Sequence, residues 1–211
     1  MEKVTFLFKV KRRIYLTCIK IKELILDFYF AKSFLGGTYD SPFRKEGLYG
    51  TQSTDYRALK EIFKFIDLNG FNCFADIGCG KGRVIYYLLK KGLKGKIIGI
   101  DANKKFASPL KARLQKRKNV DIIIEKVTDS VPSADVYYLF NPFDREHIRS
   151  FKKAAELAAK KEIIVIYCFD LYGDELFDWE LLGQITVERK YQKPYHISYF
   201  KFNPKENNWY E

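Results

Sequence analysis

The sequence predicts an α/β protein built on a doubly wound, seven-stranded, mostly parallel sheet that ends in a C-terminal antiparallel hairpin and is preceded by an N-terminal helical extension. Three observations predict it. Short β-rich runs alternate with helical patterns from residue 72 onward, as parallel neighbours joined by crossovers require. One of these runs passes through three alternating glycines into a helix. The last two runs are joined by a short link containing Pro194, which fits a hairpin and not a crossover. The organisation read from this is an extension over residues 1–70 and an α/β domain over residues 71–211.

In chain order, Ile14, Cys18, Ile21, Leu24, Ile25 and Phe28 recur at helical spacing within 14–35, with Lys20, Glu23 and Asp27 on the other side. This amphipathic helix is expected to pack its apolar face on the core and to end at Gly36-Gly37. Thr54 is the expected N-cap of a second helix with the stripe Leu59, Ile62, Phe63 and Ile66, stopped by Asn69-Gly70. Strands follow at 73–77, 96–101, 122–126, 136–140, 163–169, 186–191 and 196–202. Helices fill the gaps to about 91, to about 118, and over 145–160.

Composition narrows the classes. The 211 residues carry 38 Lys and Arg against 26 Asp and Glu, a formal charge of +12, and are 47% apolar. A chain of this length buries roughly 70% of its unfolded surface, so it needs no covalent staple. Cys18, Cys73, Cys79 and Cys168 form no C-x-x-C pair and there are two histidines, which argues against a zinc site or a disulfide framework. The first apolar stretch is interrupted by Lys20, Lys22, Glu23 and Asp27, so neither a signal peptide nor a membrane span is read, and a cytoplasmic protein is expected.

The most informative stretch is Asp76-Ile77-Gly78-Cys79-Gly80-Lys81-Gly82-Arg83, an acid at a strand end followed by glycines at alternate positions. Asp101 closes the next strand, and the topology sets it beside the loop, where it can accept from ribose hydroxyls. A Walker loop needs Ser or Thr after Gly-Lys, and Gly82 stands there. The dinucleotide pattern G-x-G-x-x-G needs glycine where Arg83 stands, which speaks against a nicotinamide-dependent oxidoreductase.

At these residues the sequence resembles the class I S-adenosylmethionine-dependent methyltransferases, whose first motif is an acid, any residue, then G-x-G-x-G at a strand-to-helix turn. The resemblance implies S-adenosyl-L-methionine as cofactor and no metal. It places Asp76 near the methionine ammonium, Gly78, Cys79, Gly80 and Gly82 in the loop beneath, and Asp101 on the ribose. Asp129, after the third strand, would accept from the adenine amino group. The run Asn141-Pro142-Phe143 resembles the N-P-P-F/Y motif of amino-group methyltransferases, with one proline fewer. Carried over, the Asn141 amide oxygen and Pro142 carbonyl orient the acceptor, and Phe143 supplies an aromatic face. His147 and Asp170 are weaker candidates for a base.

Gly47 to Thr54 combines hinge glycines with small polar groups ahead of the first strand and is read as a lid over the cofactor. Basic residues gather near the N-terminus and between Lys104 and Lys118, which suits an anionic partner, nucleic acid or membrane surface. The resulting expectation is transfer of a methyl group to N or O of an unidentified acceptor by in-line displacement. The alternative is a basic binding module on the same fold without catalysis.

Overall fold

The computed structural model describes residues 6–67, 70–127 and 130–204. Its seven-stranded sheet runs β5-β4-β3-β6-β7-β9-β8. The strands are β3 (Cys73–Ile77), β4 (Lys96–Ile100), β5 (Val120–Ile123), β6 (Val136–Phe140), β7 (Ile163–Cys168), β8 (Glu180–Val187) and β9 (Tyr195–Phe202). The first five are parallel, and β9 then pairs antiparallel with both β7 and β8. Two short strands outside this sheet, β1 (Thr38–Tyr39) and β2 (Thr51–Gln52), pair antiparallel in the segment ahead of it.

The central strands are near-continuous apolar runs because both faces are covered, which parallel sheets require. Phe74, Ile97 and Tyr138 point to the face packed by α2 (Tyr56–Ile62), α3 (Arg83–Lys90) and α4 (Lys104–Leu114). Ala75, Ile98 and Tyr137 point to the opposite face, where Phe151 and Ala155 of α5 (Arg145–Ala158) close the core. Asp76, between Ala75 and Ile77, therefore faces the layer of α3 and α4, with no hydrogen-bond partner for its Oδ2.

Several boundaries differ from the sequence reading. The penultimate strand is Glu180–Val187 and not 186–191, because Gly183 sits at a register irregularity that lets the pairing with β9 continue upstream. The fourth helix stops at Leu114, short of residue 118. Asp55, not Thr54, caps α2, its carboxylate accepting from the Ala58 N–H at 2.7 Å. The Thr54 hydroxyl is instead 2.5 Å from that of buried Tyr138. The Asn69 stop lies outside the described residues.

The larger correction concerns α1 (Phe6–Ala31). The stripe expected to face the core is the one that faces outward, and Asp27 is the helix's fully buried residue. Arg83, the first residue of α3, explains the rotation. Its guanidinium donates to Glu23 at 2.7 Å, to Asp27 at 2.9 Å and to the Thr54 carbonyl at 3.0 Å. Asp27 also accepts from the Leu35 and Gly36 N–H groups and the Tyr56 hydroxyl, each at 2.9 Å. A buried cation must be paired, so the two acids turn inward and carry Ile14, Ile21 and Ile25 to the outside.

Candidate active site

The winding leaves β3 toward β4 and β5, then returns to β6 on the other side of β3. Ligands of doubly wound sheets sit at the carboxyl ends beside such a reversal. Three segments meet there: loop 78–82 after β3, Asp101 after β4, and Asn141 to Phe143 after β6.

Four of the loop's five N–H groups are spent within the protein. The Gly78 and Cys79 N–H groups both donate to the Ile100 carbonyl, at 2.8 and 2.9 Å, and Gly82 donates to Cys79 at 2.8 Å. Gly80 donates to Asp101 Oδ2 at 2.7 Å. A phosphate cradle presents such groups free to the ligand, and here these four are satisfied within the protein. What glycine supplies is conformation and clearance. Gly80 has φ +52°, and a Cβ on it would stand 2.6 Å from Thr51 Cγ2. At Gly82, with φ +82°, a Cβ would stand 2.5 Å from Leu110.

Beneath the loop lies Asp76, 2% exposed, with Oδ2 lacking any partner. Burial first, and then the neighbouring Asp101 carboxylate, pushes its pKa up to about 8. Asp101 is raised by burial too, although its bonds from Asn103 and Gly80 counter that. Its Oδ1 accepts from the Asn103 N–H at 2.7 Å. A carboxylate has about four acceptor sites, so two remain for hydroxyl groups in the cleft it lines. Cys79 is buried beside Gly99 in the core, and burial, Asp76 and Asp101 raise its thiol well above the usual range. Its part in the site is its backbone. Asp129 lies outside the described residues, while Glu125, which the sequence reading passed over, lines the cleft.

At β6, Asn141 adopts φ +38°, and its amide oxygen accepts from the Tyr167 hydroxyl at 3.1 Å. The Pro142 carbonyl accepts from the Tyr49 N–H at 2.8 Å. Phe143 is buried, bridges to Leu48 through its backbone and lines the same cleft. Phe140 also lines the cleft, stacking on Phe169 at 6.2 Å and meeting Tyr195 edge-on at 5.9 Å. Phe169 is another non-glycine residue at positive φ, +55°. His147 is engaged through Nδ1 with Asp144, the N-cap of α5. Asp170 accepts from Ser198 and is raised by burial.

Segment 47–52 closes over the cleft. It is tied to the β6 end by Tyr49 and Leu48, to the loop by Thr51, and to Tyr172 by a 2.9 Å contact between the Tyr49 and Tyr172 hydroxyls. Lys81 adds a further tie, donating to the Gly36 carbonyl at 2.9 Å and the Tyr39 hydroxyl at 2.6 Å. The free space left is about 60 Å³. Next to it runs a groove of about 770 Å³ between α1, α2 and the β8–β9 link, and the two share Gln52 and Phe140.

Residues 74–161 match the family model of a methyltransferase domain. That match spans the glycine loop, Asp101 and the run Asn141 to Phe143, and the fold is that of solved S-adenosylmethionine-dependent methyltransferases. Solved structures with the same fold include a SAM-dependent methyltransferase from Aquifex aeolicus, 19% identical, with a TM-score of 0.55 over 77% of this chain and 94% of that one. A methyltransferase from Pyrococcus furiosus is 13% identical, with a TM-score of 0.57 over 89% and 98%. An RNA methyltransferase from Salinibacter ruber, in complex with S-adenosyl-L-homocysteine, is 12% identical, with a TM-score of 0.53 over 72% and 92%. No curated protein matches. Among the described residues, no cluster of ligating side chains fit for a metal ion is present.

Proposed function

We propose that the cleft holds S-adenosyl-L-methionine over the glycine loop and that the groove under α1 takes the methyl acceptor. The observation that carries the cofactor half is the pairing of a loop with four of its five N–H groups spent and a buried carboxyl whose Oδ2 is unpartnered. That arrangement suits a cation and not a pyrophosphate. Asp76 would face the methionine ammonium, Asp101 would take ribose hydroxyls on its two unused acceptor sites, and Glu125 lies within the same cleft. The cofactor supplies an electrophilic methyl on a sulfonium.

The chain's own contribution is then position and exclusion of water. The Asn141 amide oxygen, held by Tyr167, and the Pro142 carbonyl each keep a second lone pair for an acceptor N–H or O–H. Phe140 forms the wall common to cleft and groove, where the methyl would cross. Residues 1–70 act in this reading as the extension and lid. A cleft with room for about two waters cannot admit an adenosyl compound until segment 47–52 lifts.

The groove indicates the acceptor's chemistry. Six cations, Lys22, Arg57, Lys60, Lys91, Arg189 and Lys190, line it against four acids, of which Glu23 is paired with Arg83, Glu61 with Lys64, and Asp55 caps α2, leaving Glu188. Phe30, Tyr56, Tyr87 and Tyr195 provide aromatic wall. An acceptor with an apolar or aromatic body and an anionic group fits. Transfer of radiolabelled methyl to cell extract, separated into protein, nucleic acid, lipid and small molecules, tests this. Label in one anionic class that disappears in Asn141→Ala is expected. Absence of both label and S-adenosylhomocysteine binding would overturn the reading.

A further inference from the structure

We propose that the outer face of α1 docks this protein on an anionic membrane surface, the helix lying in the plane of the interface. The proposal rests on the helix and its charge and does not depend on methyl transfer.

Leu7, Ile14, Ile21, Ile25 and Phe28 fall at i, i+7, i+14, i+18 and i+21, which is one stripe of a helix. They are 60%, 59%, 53%, 62% and 50% exposed. Water-facing leucine and isoleucine at single positions mean little, but a continuous row along a helix marks an interaction face. At 1.5 Å per residue the row from Leu7 to Phe28 runs for about 32 Å along the 26-residue helix. No helix among the described residues is long and apolar enough to cross a membrane, so the stripe would lie on the surface.

Charge selects the partner. The helix carries Lys9, Lys11, Arg12, Arg13, Lys20 and Lys22 and just two acids, Glu23 and Asp27. Both acids are turned inward onto Arg83, so the helix contributes no carboxylate to its outer side. By helical angle Lys11 and Lys22 edge the stripe on one side, with Arg13 and Lys20 beyond its other edge. Lys90 lies over Tyr29 at 4.5 Å and adds a cation near the helix end. An apolar stripe between basic rows is how an interfacial helix inserts its hydrocarbon side while long cationic side chains reach lipid headgroups. A second copy of the chain offers no carboxylates from this helix to meet those cations, and symmetric pairing would set the basic rows against each other. Nucleic acid would use the cations and leave the stripe in water.

Co-flotation of the full chain with vesicles tests the docking. At low salt the protein should float with phosphatidylcholine vesicles containing phosphatidylglycerol and stay behind with pure phosphatidylcholine. High salt, or the exposed double change Ile21→Glu and Ile25→Glu, should cut the floated fraction at least tenfold. A thermal melt confirms that the variant is folded. Failure of the wild type to float at low salt overturns the proposal. So does a dimer in light scattering that the double change dissociates without any flotation, which would assign the stripe to a second copy. Oligonucleotide binding without flotation overturns it in favour of nucleic acid.

Discussion

If Asp76 faces the methionine ammonium, S-adenosylhomocysteine binding must carry the titration of that carboxyl. In the free protein burial and the nearby Asp101 hold Asp76 neutral, with a pKa of about 8. A cationic partner prefers the carboxylate, so the proton has to leave on binding, and apparent affinity is weak at low pH and rises toward 8. With that pKa, the ionised fraction grows roughly tenfold per pH unit, or about 75-fold between about pH 5.5 and about pH 7.5. Asp76→Asn fixes the group in its uncharged form and should lie flat over the same range, converging with the wild type at the acidic end. Isothermal titration calorimetry in two buffers of different ionisation enthalpy reads both the affinity and the proton released. A wild-type profile without slope, or a slope retained in Asp76→Asn, would show that this carboxyl does not meet the ligand's charge.

Three further outcomes follow from the geometry. Arg83→Met leaves Glu23 and Asp27 facing each other without their cation, and should lower unfolding free energy by about 3–5 kcal/mol in a urea titration. Gly80→Ala drives a Cβ to 2.6 Å from Thr51 Cγ2 and should weaken S-adenosylhomocysteine binding; in a Thr51→Ala background, which removes that methyl, calorimetry should find part of the loss restored. If the Asn141 amide meets the acceptor as proposed, Asn141→Ala should reduce the rate of methyl transfer by about tenfold or more while leaving cofactor affinity within about twofold.

The glycine loop, Asp101 and the strand order were legible because each rests on local chemistry: a strand period, a helix start, an acid at a strand end. The face of α1 was not. Periodicity finds an apolar stripe but cannot say which way it points when two acids on the opposite side are needed by a buried arginine 56 residues from Asp27. Arg83 drew notice only as a missing glycine, yet it fixes the first helix to the core. The penultimate strand was displaced because its first half is half-exposed and carries Gly183, so its alternation is weak. The aromatic wall at Phe140, Phe169 and Tyr195 comes from three separate strand ends, and sequence order gives no hint that they meet.

Asn141 and Phe169 end adjacent strands, β6 and β7, and both hold positive φ. Such conformations cost of order 1–3 kcal/mol each and persist only when their surroundings determine them. Here the surroundings do so: Tyr167 holds the Asn141 amide, the Phe169 N–H donates to the His196 carbonyl at 2.9 Å, and Phe169 packs between Phe140 and Tyr195. The opposite side of the cleft is built differently. Segment 47–52 meets the β6 end through the Tyr49 N–H bond to Pro142 and the bridge from Leu48 to Phe143, and it contributes only a two-residue ribbon of its own. In the proposed function the two sides would divide the work: the residues at Asn141 and Phe169 would set the acceptor's geometry, and the lifting of segment 47–52 would admit the cofactor. Replacing Gly50, whose Cβ would stand 2.3 Å from the Tyr39 carbonyl, would therefore loosen the cover while leaving Asn141 in place.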